Sequence, residues 1–418
     1  MKAFRILPVL ALLAAATPAA AETIAIVGAT VWERPGKKLD NATVVIRDGA
    51  IAQVGAGVAA PAGARVIDGK GKVVTAGFIE AFTQIGLATI DLEPSSVDGR
   101  MGAVGDDEIH AAYRARDAFD GRSVTIPVAR TGGVTSVVAA PVGALIAGQS
   151  SWYTLADPPT GAAPAPIVAA AGMNAALGGG ATRTGSRGTA IERLREALDD
   201  AASYQRNRAA YERNQERRLA AERLDLEALG PVLRGQVPLV IRADAESDLR
   251  AALDIARERR LRLVIVGAGE GWRVAADLAA AKVPVILDPS ANLPGNLAAI
   301  DVRDDNATVL AAAGVDVAIS TLGDPWQART IRQLAGMAVA RGLPWDQGLA
   351  ALTTVPAKIY GGGARRGTVA RGAAGDVVVW SGDPLELSSR AEVVIIGGVV
   401  QSAVTHQTRL RDRYRHVP

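Results

Sequence analysis

A glycine-rich run in the second half of the chain has residue types and spacing that could serve chemistry. Residues 267–272 read Gly-Ala-Gly-Glu-Gly-Trp, after an apolar stretch and before a helical one. Asp288 follows at roughly the spacing of a dinucleotide-binding fingerprint. Trp272 replaces the third glycine of that fingerprint, so the pattern is incomplete and gives dinucleotide binding little support.

Histidine and cysteine, which often bind metals or act in catalysis, are scarce. The chain has no cysteine, which excludes thiol catalysis, thiolate metal sites and disulfides. Its three histidines are His110, His406 and His416. We expect His110 to face solvent at the start of a surface helix in 106–110, and the other two to lie in a solvated basic tail, 406–418. No serine stands with a histidine in the order of a nucleophile triad.

The alternation of elements along the chain limits where a site can form. Short apolar runs from Ile24 to Val74 and from Asp376 to Ile396 predict two β segments at the chain ends. Between them, fully apolar strands alternate with alanine-rich helices, which is typical of parallel β–α units. A closed (β/α)8 barrel and an open doubly wound sheet both fit this pattern. The predicted strands of the middle region are Val134 to Ala139, Pro238 to Ile241, Leu261 to Val266, Val283 to Leu287 and Val315 to Ile319, and its predicted helices are Asp248 to Arg260, Trp272 to Ala281 and Thr330 to Arg341.

The segment 191–229 is dense in Ala, Arg, Glu and Leu and contains neither glycine nor proline. This composition predicts a long helix or a helical pair. Mixed charges, such as Glu192 with Arg195, favour a solvated face. We therefore expect an exposed structural insertion, and a functional lid is the alternative.

Length and composition bound the class of protein. With 418 residues and 49% hydrophobic content, the chain can bury a large core, and one large α/β domain with a smaller companion is expected. The net charge of +3 comes from 46 basic and 43 acidic residues, without a dense basic stripe interleaved with aromatics. Nucleic-acid binding therefore has little support.

The N-terminal residues 1–21 have the features of a secretory signal peptide. Lys2 and Arg5 precede an apolar run from Ile6 to Ala16, which is followed by Thr17, Pro18 and three alanines, an A-x-A cleavage pattern. The apolar run is about half of the roughly 20 residues that a membrane span needs. We expect cleavage between Ala21 and Glu22, and a soluble periplasmic or secreted product without a membrane span.

Ordered runs near both ends of the chain carry a family resemblance. The N-terminal runs are 28–31, 45–51 and 66–80, and the C-terminal runs are 353–357 and 367–380. In sequence and order they resemble the opening and closing segments of the amidohydrolase superfamily, the metal-dependent hydrolases that include imidazolonepropionase and dihydroorotase. The family activity is hydrolysis of C–N bonds other than peptide bonds.

The resemblance implies a fold. It implies an α/β protein with a (β/α)8 TIM-like barrel over 76–362 and a small β-sandwich built from both chain ends, 22–75 and 363–405. This agrees with the two β segments that flank the α/β middle, and it favours the barrel over the open sheet.

The resemblance also implies where metal ligands would lie. Family members activate water between divalent metals at the C-terminal ends of barrel strands. The first strand of the family carries two histidines, and here Phe82 and Gln84 occupy those positions. Arg242 and Gly267 stand at two further histidine positions, and Leu322 stands at that of the catalytic aspartate. We therefore expect a degenerate site that holds no metal, and no other cofactor.

Several polar residues remain at the implied mouth of the barrel. They are Glu80, Gln84, Arg242, Asp244, Glu270 and Asp324. The four carboxylates are candidates for acid–base catalysis, and Gln84 and Arg242 are candidates for substrate binding. Arg242 with a carboxylate could instead form a buried ion pair that fills the cavity.

Two main functions fit this sequence. The first is a non-catalytic periplasmic protein that binds a small molecule, or that acts as a partner subunit in a homo-oligomer or beside an active amidohydrolase. The alternative is a working hydrolase with a mononuclear or metal-free site. A purely structural envelope protein is a third hypothesis.

The signal-peptide features predict a mature protein that begins at Glu22. N-terminal sequencing of the protein recovered from a periplasmic fraction should read Glu-Thr-Ile-Ala, because the small residues at 19–21 fit the signal-peptidase site. Retention of Met1 on the exported chain would contradict this expectation.

Overall fold

A computed structural model describes residues 22–101, 108–157, 164–178, 185–215, 217–295 and 299–415. The predicted signal peptide, the first part of the predicted helix start at 106–110, and His416 lie outside the described residues.

The strands of the described residues form two sheets. They are β1 Ile24–Arg34, β2 Lys37–Arg47, β3 Ala50–Ala56, β4 Arg65–Asp68, β5 Val73–Ala76, β6 Phe78–Thr83, β7 Val134–Ala139, β8 Ile146–Thr154, β9 Pro166–Ala176, β10 Leu239–Ala243, β11 Leu263–Gly267, β12 Val285–Leu287, β13 Val317–Ile319, β14 Val377–Trp380, β15 Ala391–Ile396 and β16 Val399–Val400.

The first sheet combines strands from both ends of the chain. Its eight strands run in the order β16-β15-β14-β5-β1-β2-β3, with β4 paired to β1. The N-terminal and C-terminal parts join where β14 pairs antiparallel with β5, with Val378 opposite Thr75. This sheet has a hydrophobic core of its own, to which Ile26, Val44 and Val377 belong.

The second sheet forms a nearly closed barrel. Its eight strands run in sequence order from β6 to β13. The two end strands approach each other at their C-terminal ends, where the Gln84 N–H donates to Gly323 O at 3.1 Å. This mixed α/β architecture, a TIM-like barrel with a separate β-sheet, confirms the fold predicted from the sequence.

One strand of the barrel departs from the expected parallel pattern. β8 runs antiparallel to both β7 and β9, whereas the remaining neighbours pair in parallel. Only residues 140–145 connect β7 to β8. A parallel connection needs a crossover of about a dozen residues or more, so this short loop forces a hairpin.

Helices cover the outside of the barrel. They are α1 Ala115–Ala118, α2 Thr125–Thr131, α3 Arg187–Glu212, α4 Arg223–Leu233, α5 Glu246–Arg259, α6 Ala275–Ala280, α7 Asn306–Ala312, α8 Ile331–Ala340, α9 Trp345–Leu352, α10 Thr354–Ile359 and α11 His406–Tyr414. The helix predicted from Trp272 begins instead as a 3-10 turn, Gly271–Val274, and only then becomes α6.

The helical segment at 191–229 is a helical pair, and it is not an exposed insertion. Leu194, Leu198 and Tyr204 of α3 are buried in the main hydrophobic core. The opposite face of α3 carries the charges that suggested exposure. A buried apolar stripe beside a charged face is the usual pattern of a helix that packs on a core.

Two further expectations about polar segments need correction. The segment around His110 is not helical where it is described, because Ile109 forms a parallel bridge with Ile146 and the His110 N–H donates to Ile146 O at 2.8 Å. The basic tail is a capped helix, α11, in which no residue is buried. Thr405 begins α11 with a capping box, a local signal that overrides the high charge of the segment.

Among the described residues, no helix is both long and apolar enough to cross a bilayer.

The pairing within the first sheet predicts that the folded protein needs its C-terminal strands to stay soluble. Deleting 363–418 should cause aggregation, because it exposes the edge of β5 and uncovers Phe78, on which Trp380 stacks with ring centroids 5.0 Å apart. Deleting only 406–418, which removes the exposed α11, is the matched control and should leave the protein monodisperse in size-exclusion chromatography with light scattering. Monodisperse behaviour of the longer deletion would contradict the prediction.

Candidate functional site at the barrel mouth

The C-terminal ends of β10 to β13 lie at one end of the barrel, because these strands pair in parallel. Side chains alternate along a strand, and in β10 the inward one is Val240, which belongs to the cluster that fills the barrel interior. Arg242 is two residues further on and shares that orientation. Phe82, at the end of β6, belongs to the same interior cluster.

Two cavities open at this end, and Arg242 and Asp244 line both of them. The larger has a volume of about 330 Å³ and is also lined by Phe82. The smaller has a volume of about 150 Å³ and is also lined by Gly267 and Leu322. The barrel therefore brings together five of the residues selected from the sequence.

Arg242 does not form the buried ion pair that was one of its two hypothetical roles. Among the described residues, no carboxylate oxygen lies within 4.0 Å of its guanidinium and no hydrogen bond engages it. Its charge is nevertheless felt by Asp244, whose pKa it lowers. The arrangement favours the other hypothesis, a ligand clamp.

Asp244 is largely buried between the two cavities. Desolvation raises the pKa of its carboxyl, against the opposing effects of the Arg242 charge and of a hydrogen bond from the Gly269 N–H at 3.3 Å. A cavity-lining carboxyl with a raised pKa can accept or donate a proton, so Asp244 is the best placed of the four acid–base candidates.

The glycine-rich run after β11 has no backbone donors left for a phosphate. The N–H groups of 268, 269, 270 and 271 donate to Ala243 O, Asp244 Oδ1, Asp244 O and Ala268 O, and that of Trp272 donates to Asn306 Oδ1. A dinucleotide fingerprint needs such donors free to bind pyrophosphate. The run is therefore a structural turn that closes over Asp244.

The carboxylates of Glu270 and Asp324 accept hydrogen bonds from backbone N–H groups, and neither residue lines the two cavities. Glu270 is buried, and its carboxylate accepts from the Glu246 N–H at 2.8 Å and from the Asp301 N–H at 3.2 Å. Asp324 is exposed and accepts from the Trp326 N–H at 2.8 Å. Both carboxylates cap turns, a role that strand-end position alone cannot separate from catalysis.

Gln84 also has a structural contact. It is 3% exposed, and its amide Nε2 donates to Gly99 O at 3.0 Å. It is not among the residues that line the two cavities.

Glu80 lies in the seam between β6 and the end of β13. It is fully buried, Ser320 Oγ is in short contact with its Oε1, and the Thr321 N–H donates to its Oε2 at 3.4 Å. Burial raises the pKa of Glu80 to about 8, which outweighs the opposite effect of these hydrogen bonds.

The hydrogen bonds of Ser320 in this seam also indicate that the Glu80 carboxyl is protonated. Ser320 Oγ also lies 2.9 Å from Phe82 O and accepts from the Leu322 N–H at 3.0 Å. The hydroxyl has one proton and cannot donate to both Phe82 O and Glu80. A protonated Glu80 resolves the conflict, because it donates to Ser320 Oγ while Ser320 donates to Phe82 O.

Two polar residues that line the larger cavity were not selected from the sequence. Asn174 of β9 lines it, and so does Asp248, which is held by a bidentate ion pair from Arg187 at 2.8 to 3.0 Å. The signal for Asn174 was available, since it is the one amide in the otherwise apolar strand 166–176. The partner of Asp248 was not predictable, because Arg187 lies 61 positions away.

A third concavity, larger than either of these two cavities, lies at the opposite end of the barrel. Its volume is about 920 Å³, and it is lined by residues near the N-terminal ends of β11 to β13, such as Leu261, Pro284 and Asp316. Several of its charges are already paired, as in the contact of Lys358 with Asp316 at 2.6 Å. Barrel enzymes place their active sites at the C-terminal face, so the two smaller cavities at that face are the candidate functional site.

Within the described residues, no group of three or more His, Asp or Glu side chains is placed to hold a metal ion.

The chain is similar in sequence and in structure to proteins named as amidohydrolases. No family model matches the chain. It is 29% identical over 194 residues to Amidohydrolase tasK of Hapsidospora irregularis, a match that covers 43% of this chain and spans only 19% of that relative's length. The structure is similar to that of an amidohydrolase from Thermotoga maritima MSB8, with 26% identity, a TM-score of 0.81 and coverage of 91% of this chain and 99% of the other. A likeness of fold extends to molinate hydrolase, with 20% identity, a TM-score of 0.59 and coverage of 92% and 95%.

The buried Glu80 predicts a characteristic pH dependence of stability. With a folded pKa of about 8 against the usual 4.5, the folded state keeps a proton that the unfolded state releases. This stabilisation is complete below about pH 4.5 and is lost as the pH rises through about 8, with a slope of up to about 1.4 kcal/mol per pH unit. Glu80→Gln should flatten this part of the urea-unfolding free energy between about pH 5 and 8.

The matched control is Thr321→Val, which leaves the Glu80 carboxyl in place and should keep the wild-type slope. An equal slope in wild type and Glu80→Gln would show that Glu80 is ionised in the folded protein.

Proposed function

The chain belongs to the amidohydrolase superfamily, and we propose that it is a member that binds a small molecule at the barrel mouth without the family's metal centre. The observation that carries the proposal is the guanidinium of Arg242 in the mouth cavities, which has no carboxylate within 4.0 Å among the described residues and stands where the resemblance places a metal-binding histidine. A guanidinium stays cationic and repels a divalent cation, but it binds anionic groups well.

The other residues at the ligand positions also fit a metal poorly. Phe82 lines the larger cavity with an apolar ring, and Leu322 lines the smaller one with an apolar chain. A side chain at Gly267 would collide with the Asp244 carboxylate. The amide of Gln84 is engaged by Gly99 O. Zinc needs three or four nitrogen, oxygen or sulfur donors at about 2.0 to 2.3 Å, and this set does not supply them.

The residues that remain suit binding better than hydrolysis. Without a metal, activation of water would depend on a general base, and Asp244 is the carboxyl that favours the alternative of a metal-free hydrolase. One oxygen of its carboxylate accepts the Gly269 N–H at 3.3 Å, and the rest of the carboxylate stays available to a bound molecule. Turnover of amide substrates that is lost in Asp244→Asn would favour that alternative.

The features of residues 1–21 support a periplasmic location for this function. A partner subunit, either a second copy or an active relative, is compatible with the same site. Co-purification from a periplasmic extract tests that part of the proposal.

The proposed function predicts weak metal binding. Protein purified without chelator should contain zinc, manganese and iron well below one atom per chain, as measured by elemental analysis. Added zinc should not raise the melting temperature, because only a ligand that binds the folded state stabilises it. The double variant Phe82→His, Gln84→His should not restore binding, since Arg242 still directs a positive charge into the cavity.

The informative control is the triple variant Phe82→His, Gln84→His, Arg242→His. Unlike the double variant, it also removes the positive charge of Arg242 from the cavity. Retention of about one metal per wild-type chain, together with metal-dependent hydrolysis of amides, would overturn the proposed function.

A further inference from the structure

The larger mouth cavity is lined by a cationic, an anionic and a neutral polar side chain from two adjacent strands. Arg242 and Asp244 lie at the end of β10, and Asn174 lies on β9, in register with Val240. Asn174 and Arg242 therefore share the inward orientation of Val240. All three polar side chains line the cavity of about 330 Å³.

Arg242 supplies the cationic group. Its partial burial removes water from the guanidinium, and no described carboxylate within 4.0 Å replaces that water. A partly desolvated cation without a partner is stabilised by any anion that enters the cavity, and a carboxylate can meet its planar fork with two hydrogen bonds.

Asn174 supplies an unused acceptor. The residue is 3% exposed, and its Nδ2 donates to Gly148 O at 2.9 Å, which fixes the orientation of the amide. Its Oδ1 is buried and has no hydrogen-bond partner among the described residues. Buried acceptors are normally satisfied, so this oxygen would gain a hydrogen bond from an N–H or O–H that a bound molecule brings to this wall of the cavity.

The two carboxylates of the cavity differ in their availability. Asp248 is neutralised by the bidentate contact with Arg187. Asp244 accepts only one long hydrogen bond, from the Gly269 N–H at 3.3 Å, although a carboxylate has room for about four. The cavity thus presents one available cation, one available anion and one neutral acceptor.

We propose that the larger mouth cavity binds a zwitterionic amino acid, with its carboxylate on Arg242 and its ammonium on Asp244 and Asn174 Oδ1. This inference rests on the proposed function, because a divalent metal beside Arg242 would change the charge of the cavity. The ligand's charges match those of the cavity one for one. The remaining wall, at Phe82, Val142 and Ala144, is apolar and suits a small aliphatic side chain.

The test is calorimetric titration and thermal shift of the mature protein with the standard L-amino acids at about 1 mM. At least one amino acid should bind. Its methyl ester, which lacks the carboxylate, and its N-acetyl derivative, which lacks the ammonium, should each bind about tenfold more weakly or worse, as expected for loss of a charged hydrogen-bonded contact.

Variants of Arg242 and Asn174 test the two contacts through the ratio of affinities for the amino acid and its derivatives. Partial misfolding would weaken all of these affinities but would not change their ratio. Arg242→Gln should remove the preference for the amino acid over its methyl ester, and Asn174→Ala should reduce the preference over its N-acetyl derivative. Arg260→Gln, which alters an exposed arginine near the opposite end of the barrel, is the control for Arg242 and should leave both preferences as in wild type.

The outcomes separate this inference from the proposed function. Absence of binding by every standard amino acid to metal-free wild-type protein, or binding whose selectivity is unchanged in Arg242→Gln, overturns the amino-acid assignment alone. Stoichiometric metal in the wild-type protein overturns the proposed function, whichever ligand binds.

Discussion

The first and last strands of the barrel meet at the buried carboxyl of Glu80, and the geometry of the mouth depends on that junction. Ser320 contacts Glu80 and Phe82 O, and one residue pair further on Gln84 N–H reaches Gly323 O. These contacts fix where β6 ends. Phe82 consequently lines the larger cavity, whereas Gln84 is already beyond it and is held by Gly99 O.

A second constraint lies on the opposite side of the mouth, where Asp244 organises the turn after β11. Its backbone and side-chain oxygens accept N–H groups from Gly269 and Glu270, and this brings the turn against the end of β10. Glycine at 267 permits the approach, since its φ is +96° and a side chain there would meet Asp244. Asp244 faces this turn, and Arg242 has no carboxylate partner within 4.0 Å among the described residues.

The sequence was sufficient for the fold class and for most of the barrel strands. The run Val134 to Ala139 was predicted with its observed bounds, and the other four predicted middle strands agree within about two residues, since continuous apolar runs between turn signals are a strong pattern. The direction of β8 was not predicted, because β8 was not recognised in a segment that mixes Gly, Gln and Ser with apolar residues. The burial of α3 was missed because charged residues on one face dominated its composition.

The candidate site was predicted in part, and the limits are physical. Arg242 and Asp244 lie at the end of an otherwise apolar strand, so their place at the mouth could be inferred from strand alternation. Glu270 and Asp324 occupy similar places in the sequence, yet their carboxylates bind backbone N–H groups of turns. A carboxylate after a strand serves either purpose, and only the tertiary position of the backbone N–H that donates to it distinguishes the two.

The proposed function also explains why the barrel could keep a ligand site when its chemistry changed. A divalent metal in the family does two things, since it attracts anionic or polarised oxygens and it lowers the pKa of bound water. A guanidinium supplies the first property through its charge and its planar donors, but it cannot supply the second, because it does not coordinate water as a Lewis acid. Under the proposed function, Arg242 in the mouth cavity would retain electrostatic recognition in a scaffold where hydrolysis would need a different source of activated water.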